Sequence, residues 1–183
     1  GKDTAANFLI QKGNAVKLSF ASILKDVVSA VFGWNRKALE GDTYESRVWR
    51  EEVDEWWAKR LNIQELSPRW VLQQWGTNVL RNHFHPDIWI AALERKIYET
   101  QSKTIVITDC RFTNEIEFLI RLRKESGFDV KFVWIRRPPL PHWVEVYLKE
   151  GIPPSGVHLS EYQWLHNKFD VIVDNDSDLE TLK

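Results

Sequence analysis

Residues 104–115 read TIVITDCRFTNE, and the run continues as IEFLIRLRKESG to Gly127. Thr104–Thr108 is a β-branched apolar run of the kind that buried parallel strands use. Asn114–Glu125 then reads as a helix, which Gly127 ends. Between strand and helix stand Asp109, Cys110 and Arg111. A buried strand that feeds a helix through a polar turn is half of a βαβ unit, and it decides for an α/β fold.

The pattern extends both ways. Downstream, Val130–Ile135 (VKFVWI) and Asp170–Val173 (DVIV) are the next strands, and Asp176 or Ser177 caps a final helix that runs to Lys183. Upstream, Thr4–Gln11 reads as a helix closed by Gly13, and Ala15–Phe20 (AVKLSF) as a short strand. Strands separated by helices predict a parallel sheet flanked by helices.

The long stretch from Ser22 to Gln101 is helical in texture and sits between the first two strands. Ser22–Phe32 carries Ile23, Leu24, Val27, Val28 and Val31 at helical spacing, with Gly33 as the stop. Tyr44–Leu61 mixes Trp49, Trp56 and Trp57 with many charges and reads as one surface helix. Ser67-Pro68 is a helix start, an N-cap serine before proline at the first turn. Pro86 opens a further helix with Ile88, Trp89, Leu93 and Ile97 on its apolar face. Residues 138–160 hold Pro138, Pro139, Pro141, Pro153 and Pro154, which reads as an excursion and not as a packed layer.

The chain has 183 residues. At roughly 100–200 residues per domain this is one domain, long enough to bury a core without disulfides. Its single cysteine, Cys110, has no partner within the chain, which excludes a disulfide-stapled scaffold and points to a reducing, cytoplasmic setting. The net charge is −1, which argues against bulk binding to nucleic acid or to an anionic membrane. No apolar run approaches the roughly 20 residues of a membrane helix. The chain begins with Gly1 and holds no methionine, so the expectation is a fragment whose first strand lies upstream.

Five places carry candidate chemistry. Gly1-Lys2-Asp3-Thr4 stands directly before a helix, as the end of a G-x-x-x-x-G-K phosphate loop would; an ordinary helix start is the plainer reading. Asp109 and Arg111 follow a strand end, where open parallel sheets bind ligands. There a carboxylate can hold water on Mg²⁺ and an arginine can clamp phosphate; a surface ion pair is the alternative. In Ser67-Pro68-Arg69-Trp70 a cation sits in a first helical turn, poor for stability but good for gripping a phosphate. Trp70 beside it is either a stacking face for a base or a core residue. Arg136-Arg137-Pro138 lies at the base of the proline-rich segment, as lid arginines do; a solvated basic pair is the alternative. Asp174-Asn175-Asp176 is a turn that could also contact a purine ring.

Taken in order, GKDT (1–4), SPRWVLQQWGTN (67–78), DCRFTNE (109–115), RRP (136–138), HLSE (158–161) and DVIVDNDSDLETL (170–182) resemble a known family. It is the deoxynucleoside monophosphate kinases of tailed bacteriophages and large DNA viruses. The resemblance implies a P-loop kinase core with a helical monophosphate-binding region, taken as 34–101, and a lid, taken as 138–160. It implies ATP with Mg²⁺ as donor and a deoxynucleoside monophosphate as acceptor. Carried over by position, Gly1, Lys2, Asp3, Thr4 and Asn175 would bind ATP, with Thr4 and Asp109 near the metal. Arg69 and Trp70 would receive the monophosphate, with Glu161 at the substrate. Lys2, Asp109, Arg111, Arg136 and Arg137 would serve the transfer. Asn78 stands where family members often have Asp, so it takes no catalytic role. His158 reads either as a helix-cap or surface histidine, the plainer reading, or as part of the lid hinge or a substrate contact. Small-molecule substrates, a homodimer and no membrane are the expected partners; a virus-encoded protein would work in the host cytoplasm. A dephospho-CoA kinase-like enzyme and a non-catalytic nucleotide- or nucleic-acid-binding domain are the competing readings.

Overall fold

The computed structural model describes residues 1–13 and 15–176. In chain order it holds α1 (Lys2–Lys12), β1 (Ala15–Leu18), α2 (Ser22–Phe32), α3 (Tyr44–Glu51), α4 (Glu55–Leu61) and α5 (Pro68–Gln73). After α5 the chain continues as a π-helical segment, Gln74–Phe84. Then come α6 (Ile88–Glu99), β2 (Thr104–Ile107), α7 (Thr113–Glu125), β3 (Val133–Arg136), α8 (His142–Glu150) and β4 (Val171–Asp174). The helix predicted from Asp176 or Ser177 onward lies outside the described residues. The chain divides into two compact units: Gly1–Ser19 with the chain from Glu99 onward, and Phe20–Tyr98. Among the described residues no helix is long and apolar enough to cross a membrane.

The first unit holds all four strands described. They pair two by two, and both pairs are parallel, as predicted. β1 runs beside β2 with Ala15 opposite Thr104 and Leu18 opposite Ile107. β3 runs beside β4 with Val133 opposite Val171 and Arg136 opposite Asp174. Parallel pairing requires a long crossover. For β1 and β2 the crossover is the whole Phe20–Tyr98 unit; for β3 and β4 it is α8 and the turns around it. The single sheet expected from the sequence is therefore seen as two strand pairs, each joining strands distant in the chain. On α7 the residues Glu115, Ile116, Phe118, Leu119 and Leu122 are buried, one face at helical spacing. Burying a side chain such as Phe118 or Leu122 contributes about 1.5–3 kcal/mol each.

Two expectations need correction. The proline-rich segment is not a bare excursion. It contains α8, whose Val144 and Tyr147 form a small core with Tyr162 and Leu165, with Trp134 and Trp164 packed on it. The prolines bracket this helix and leave its interior free, so they shape the turns and not the layer.

The second correction falls in the Phe20–Tyr98 unit. Tyr44–Leu61 is not one helix, because the chain extends at Glu52 and Asp54. Asp54 caps α4, its Oδ1 accepting from Trp57 N–H at 3.1 Å. Its Oδ2 accepts from Trp34 Nε1 at 2.8 Å. A carboxylate with two such donors favours the cap over a helical interior. The core of this unit gathers Leu24, Val28, Phe32, Leu39, Leu66, Val71, Trp89 and Leu93. Phe32 stacks on Trp34 at 4.4 Å between ring centres and meets the edge of Trp57 at 4.9 Å. Gly76 opens the way for a close approach: a Cβ there would stand 2.8 Å from Leu24 Cδ2, and its carbonyl accepts from Trp89 Nε1 at 2.9 Å.

Candidate active site

The N-terminal end of α1 touches both strand pairs. Gly1 is its N-cap residue, and the Gly1 carbonyl accepts from Ala5 N–H at 2.9 Å. A Cβ on Gly1 would lie 3.0 Å from Asn175 Nδ2 and 3.1 Å from Ile135 Cγ2, so glycine suits this close approach to the end of β3 and β4. On the other side Asp3 Oδ1 accepts from Lys17 Nζ of β1 at 3.0 Å, and Asp3 Oδ2 from Lys2 Nζ at 2.8 Å. Burial pulls the Asp3 carboxyl upward, but the two lysine hydrogen bonds outweigh it and hold the group well below the usual carboxylate range. The predicted phosphate lysine, Lys2, thus rests against its own neighbour. Thr4 is part-buried, and among the described residues no hydrogen bond joins it to Asp109.

Just beyond β1 and β2, Ser19 Oγ donates to Asp109 Oδ2 at 2.7 Å. Nothing in the sequence singled out Ser19, which falls inside the strand expected over Ala15–Phe20; the strand ends at Leu18 and leaves Ser19 just past it. The next turn is organised by Glu115, which is 1% exposed. Its Oε2 accepts from Arg111 N–H at 2.7 Å and from Phe112 N–H at 3.1 Å. Phe112 is the N-cap of α7 and Glu115 the third helical residue, the position from which a Glu reaches back to cap N–H groups. The spacing within FTNE carried that signal. Burial first, then the nearby Glu115 and Asp109 carboxylates, push the Cys110 thiol far up and disfavour its thiolate.

Arg111 Nη1 donates to Glu161 Oε1 at 2.7 Å. Glu161 also lines a cavity of about 400 Å³ together with Arg136, Arg137, Pro139 and Trp164. Arg136 makes a two-pronged contact to Asp174, its register partner: Nε to Oδ1, and Nη2 to Oδ2 at 3.1 Å. That pair raises the Arg136 pKa further. Asn175 N–H donates to the Arg136 carbonyl at 2.8 Å and extends the ladder by one rung. Arg137 is exposed. His158 caps the short turn at Leu159–Glu161, its Nδ1 accepting from Ser160 N–H at 3.2 Å, which is the plainer of its two expected roles.

Arg69 and Trp70 belong to the Phe20–Tyr98 unit. Ser67 Oγ accepts from Trp70 N–H at 3.2 Å and starts α5 as predicted. Arg69 Nε lies against the Glu51 carboxylate of α3. Trp70 is half-buried and, among the described residues, joins none of the ring contacts that engage Trp34, Trp49, Trp56, Trp57 and Trp75.

The structure thus brings Gly1 to Asn175, Lys2 to Asp3, and Arg111 to Glu161, with Glu161, Arg136 and Arg137 on one cavity. No protein-family model matches the chain. A protein of Acanthamoeba polyphaga mimivirus, named "Putative deoxynucleotide monophosphate kinase", is 27% identical to it over 195 residues, covering 98% of this chain and 85% of that protein. A "Deoxynucleoside-5'-monophosphate kinase" of Escherichia phage T5 is 44% identical over 109 residues, covering 58% of this chain and 42% of that kinase.

The chain is similar to two viral proteins named as deoxynucleotide or deoxynucleoside monophosphate kinases. The resemblance built from the ordered motifs is borne out, and the mimivirus relative spans both units. The chain itself has a mixed α/β architecture with short parallel strands. Its candidate groups in the first unit gather at the carboxyl ends of those strands.

Proposed function

We propose that the protein transfers the γ-phosphoryl group of ATP to a deoxynucleoside monophosphate, giving ADP and the deoxynucleoside diphosphate. The names of the two relatives support this activity. The observation that carries it in the chain itself is the N-terminal end of α1. It meets Lys17 of β1 through Asp3 and Asn175 beyond β4 through Gly1, at the strand ends where open parallel sheets bind ligands.

In this reading Gly1–Thr4 is the end of a phosphate loop, and Lys2 leaves Asp3 to reach the terminal phosphates of ATP. Asn175 lies at the adenine. Arg69 holds the phosphate of the monophosphate and Trp70 faces its base. Residues 138–160 form the lid, with α8 as its packed support. One phosphate oxygen of the acceptor forms a bond to the γ-phosphorus while the bond to the β–γ bridging oxygen breaks, and that electron pair leaves with ADP. The acceptor needs no general base, because a monophosphate with a second pKa of about 6 is already mostly dianionic at neutral pH. Arg111, Arg136 and Arg137 spread the charge of the transferring group.

Mg²⁺ would neutralise charge between the β- and γ-phosphates. Among the described residues no three or more His, Cys, Asp or Glu gather as a cage. Mg²⁺ bound with nucleotide takes one or two carboxylates plus phosphates and water, and the oxygen donors at hand suit that: Asp109 with the Ser19 hydroxyl beside it, and Thr4. The test is direct. The full protein is incubated with ATP, Mg²⁺ and each deoxynucleoside monophosphate in turn, and diphosphate is read by chromatography. Formation of at least one diphosphate is expected. Phosphorylation of dephospho-CoA alone, or none of any acceptor, would overturn the reading.

A further inference from the structure

We propose that Lys17 is a positioning residue for Lys2: it keeps the Asp3 carboxylate neutralised while Lys2 turns to the phosphates of ATP. This rests on the kinase reading above and deepens it. No motif pointed to Lys17, which the sequence marked only as part of a strand.

Asp3 lies in the first turn of α1 and carries one lysine on each oxygen. Oδ2 accepts from Lys2 Nζ at 2.8 Å, and Oδ1 accepts from Lys17 Nζ at 3.0 Å. The two cations differ in setting. Lys2 is the chain neighbour of Asp3, and its side chain is 53% exposed. Lys17 comes from β1, where it stands opposite Val106 of β2, and its side chain is 30% exposed. The strand backbone fixes the base of Lys17, whereas Lys2 stands at the start of its helix.

A carboxylate shared in this way decides how freely Lys2 can change partners. With Lys2 as its sole cation, Asp3 would hold it in a local ion pair, and that pair would have to break before Lys2 met a phosphate. It would also leave an uncompensated carboxylate beside the incoming triphosphate, two like charges in one place. With Lys17 on the other oxygen, Asp3 keeps a counter-cation when Lys2 departs. The flexible stem and rotatable ammonium of a lysine suit such an exchange. Burial raises the Asp3 pKa, but the hydrogen bonds from Lys2 and Lys17 outweigh it, so Asp3 is ionised at neutral pH and needs a cation at each stage.

The test is binding of ATP with Mg²⁺ to the full protein, by titration calorimetry without acceptor. It compares the wild type with Lys17→Met, Lys17→Arg, Asp3→Asn and the double variant Lys17→Met/Asp3→Asn. In Lys17→Met, Asp3 holds Lys2 alone, and the ATP Kd should rise about fivefold, the scale of one partly exposed charge pair. The double variant should regain most of that loss, because no carboxylate holds Lys2. Lys17→Arg should bind ATP nearly as the wild type does, because it keeps the cation. In turnover, Lys17→Met should raise the KM for ATP and not that for the monophosphate. A mere tie between α1 and β1 would weaken both single variants and the double variant alike. A Lys17 that itself grips phosphate would leave the double variant as weak as Lys17→Met. Either result, or an unchanged ATP Kd in Lys17→Met, overturns the proposal. If Lys17→Met does not fold, Lys17→Gln carries the same comparison. The kinase reading is judged apart: a wild type that binds ATP but phosphorylates no deoxynucleotide sinks that reading, and the titrations still decide the role of Lys17. A wild type that binds no ATP overturns the role of Lys17.

Discussion

Arg111 and Glu161, fifty residues apart in the chain, meet at 2.7 Å between Nη1 and Oε1. One follows β2 and the other closes a short turn after α8, so the contact ties two separate loops of the first unit. Both side chains remain about half in water, 43% and 53% exposed. An exposed pair of this kind adds little stability, because solvent screens it and two long side chains must be ordered. What the contact does is fix the Arg111 side chain to the Leu159–Glu161 turn.

Arg111→Ala should therefore separate activity from stability. The expected loss is on the order of 10²–10³ in kcat, the cost of removing one group that neutralises transition-state charge. The melting temperature should stay within about 2–4 °C, the equivalent of roughly 1 kcal/mol in a chain of this size. Parallel kinetics and thermal unfolding would check both. A full retention of kcat would remove Arg111 from the transfer step.

Glu115 should behave in the opposite sense. It is buried and accepts two backbone N–H groups of the turn that carries Arg111. Glu115→Ala leaves both donors unsatisfied, which costs about 1.5–3 kcal/mol for each hydrogen bond to a charged acceptor. A fall in melting temperature of several degrees is expected together with reduced kcat. Denaturant unfolding of the variant would measure the first part.

Cys110 should be unreactive in the native protein. Burial and two neighbouring carboxylates raise its pKa, so little thiolate exists at pH 8. Its rate of reaction with a thiol reagent should be at least about tenfold lower in the native state than in denaturant. Equal rates would mean that the DCR turn is open to solvent.

Acid stability should depend on Glu40 in the helical unit. Its carboxylate takes Lys25 Nζ at 2.5 Å and Arg36 Nη1 at 2.5 Å. Burial raises its pKa, but those two partners outweigh it and lower the pKa below the ordinary 4.5. A depressed carboxylate stabilises the native state above its unfolded pKa and loses that contribution as pH falls through the folded one. Glu40→Gln should thus lower the melting temperature at pH 7 and shrink the gap to the wild type as pH drops below about 4. The effect is of the order of 1 kcal/mol, because part of the side chain still meets water. A gap that stays constant down to pH 3 would contradict it.

Local signals carried much of this protein. The spacing of Ile23, Leu24, Val27, Val28 and Val31 with Gly33 behind them marked α2, although the helix buries Leu24, Val28 and Phe32 and leaves Val27 and Val31 exposed; Ser67-Pro68 marked the start of α5, and the TIVIT run marked β2. Such features depend on residues within one or two turns of each other, and so they are written in periodicity and caps. The family resemblance was legible in the same way, as an ordered set of short strings. Tertiary structure decided what depends on distant partners. The break at Asp54 follows from Trp34 twenty residues away, and α8 packs because Tyr162 and Leu165 return to it. The pairing of Arg111 with Glu161, of Ser19 with Asp109, and of Arg50 with the Glu40 carbonyl likewise has no local signature. A charged side chain takes its role from whatever charge and burial the fold places beside it, and sequence spacing does not encode that neighbour.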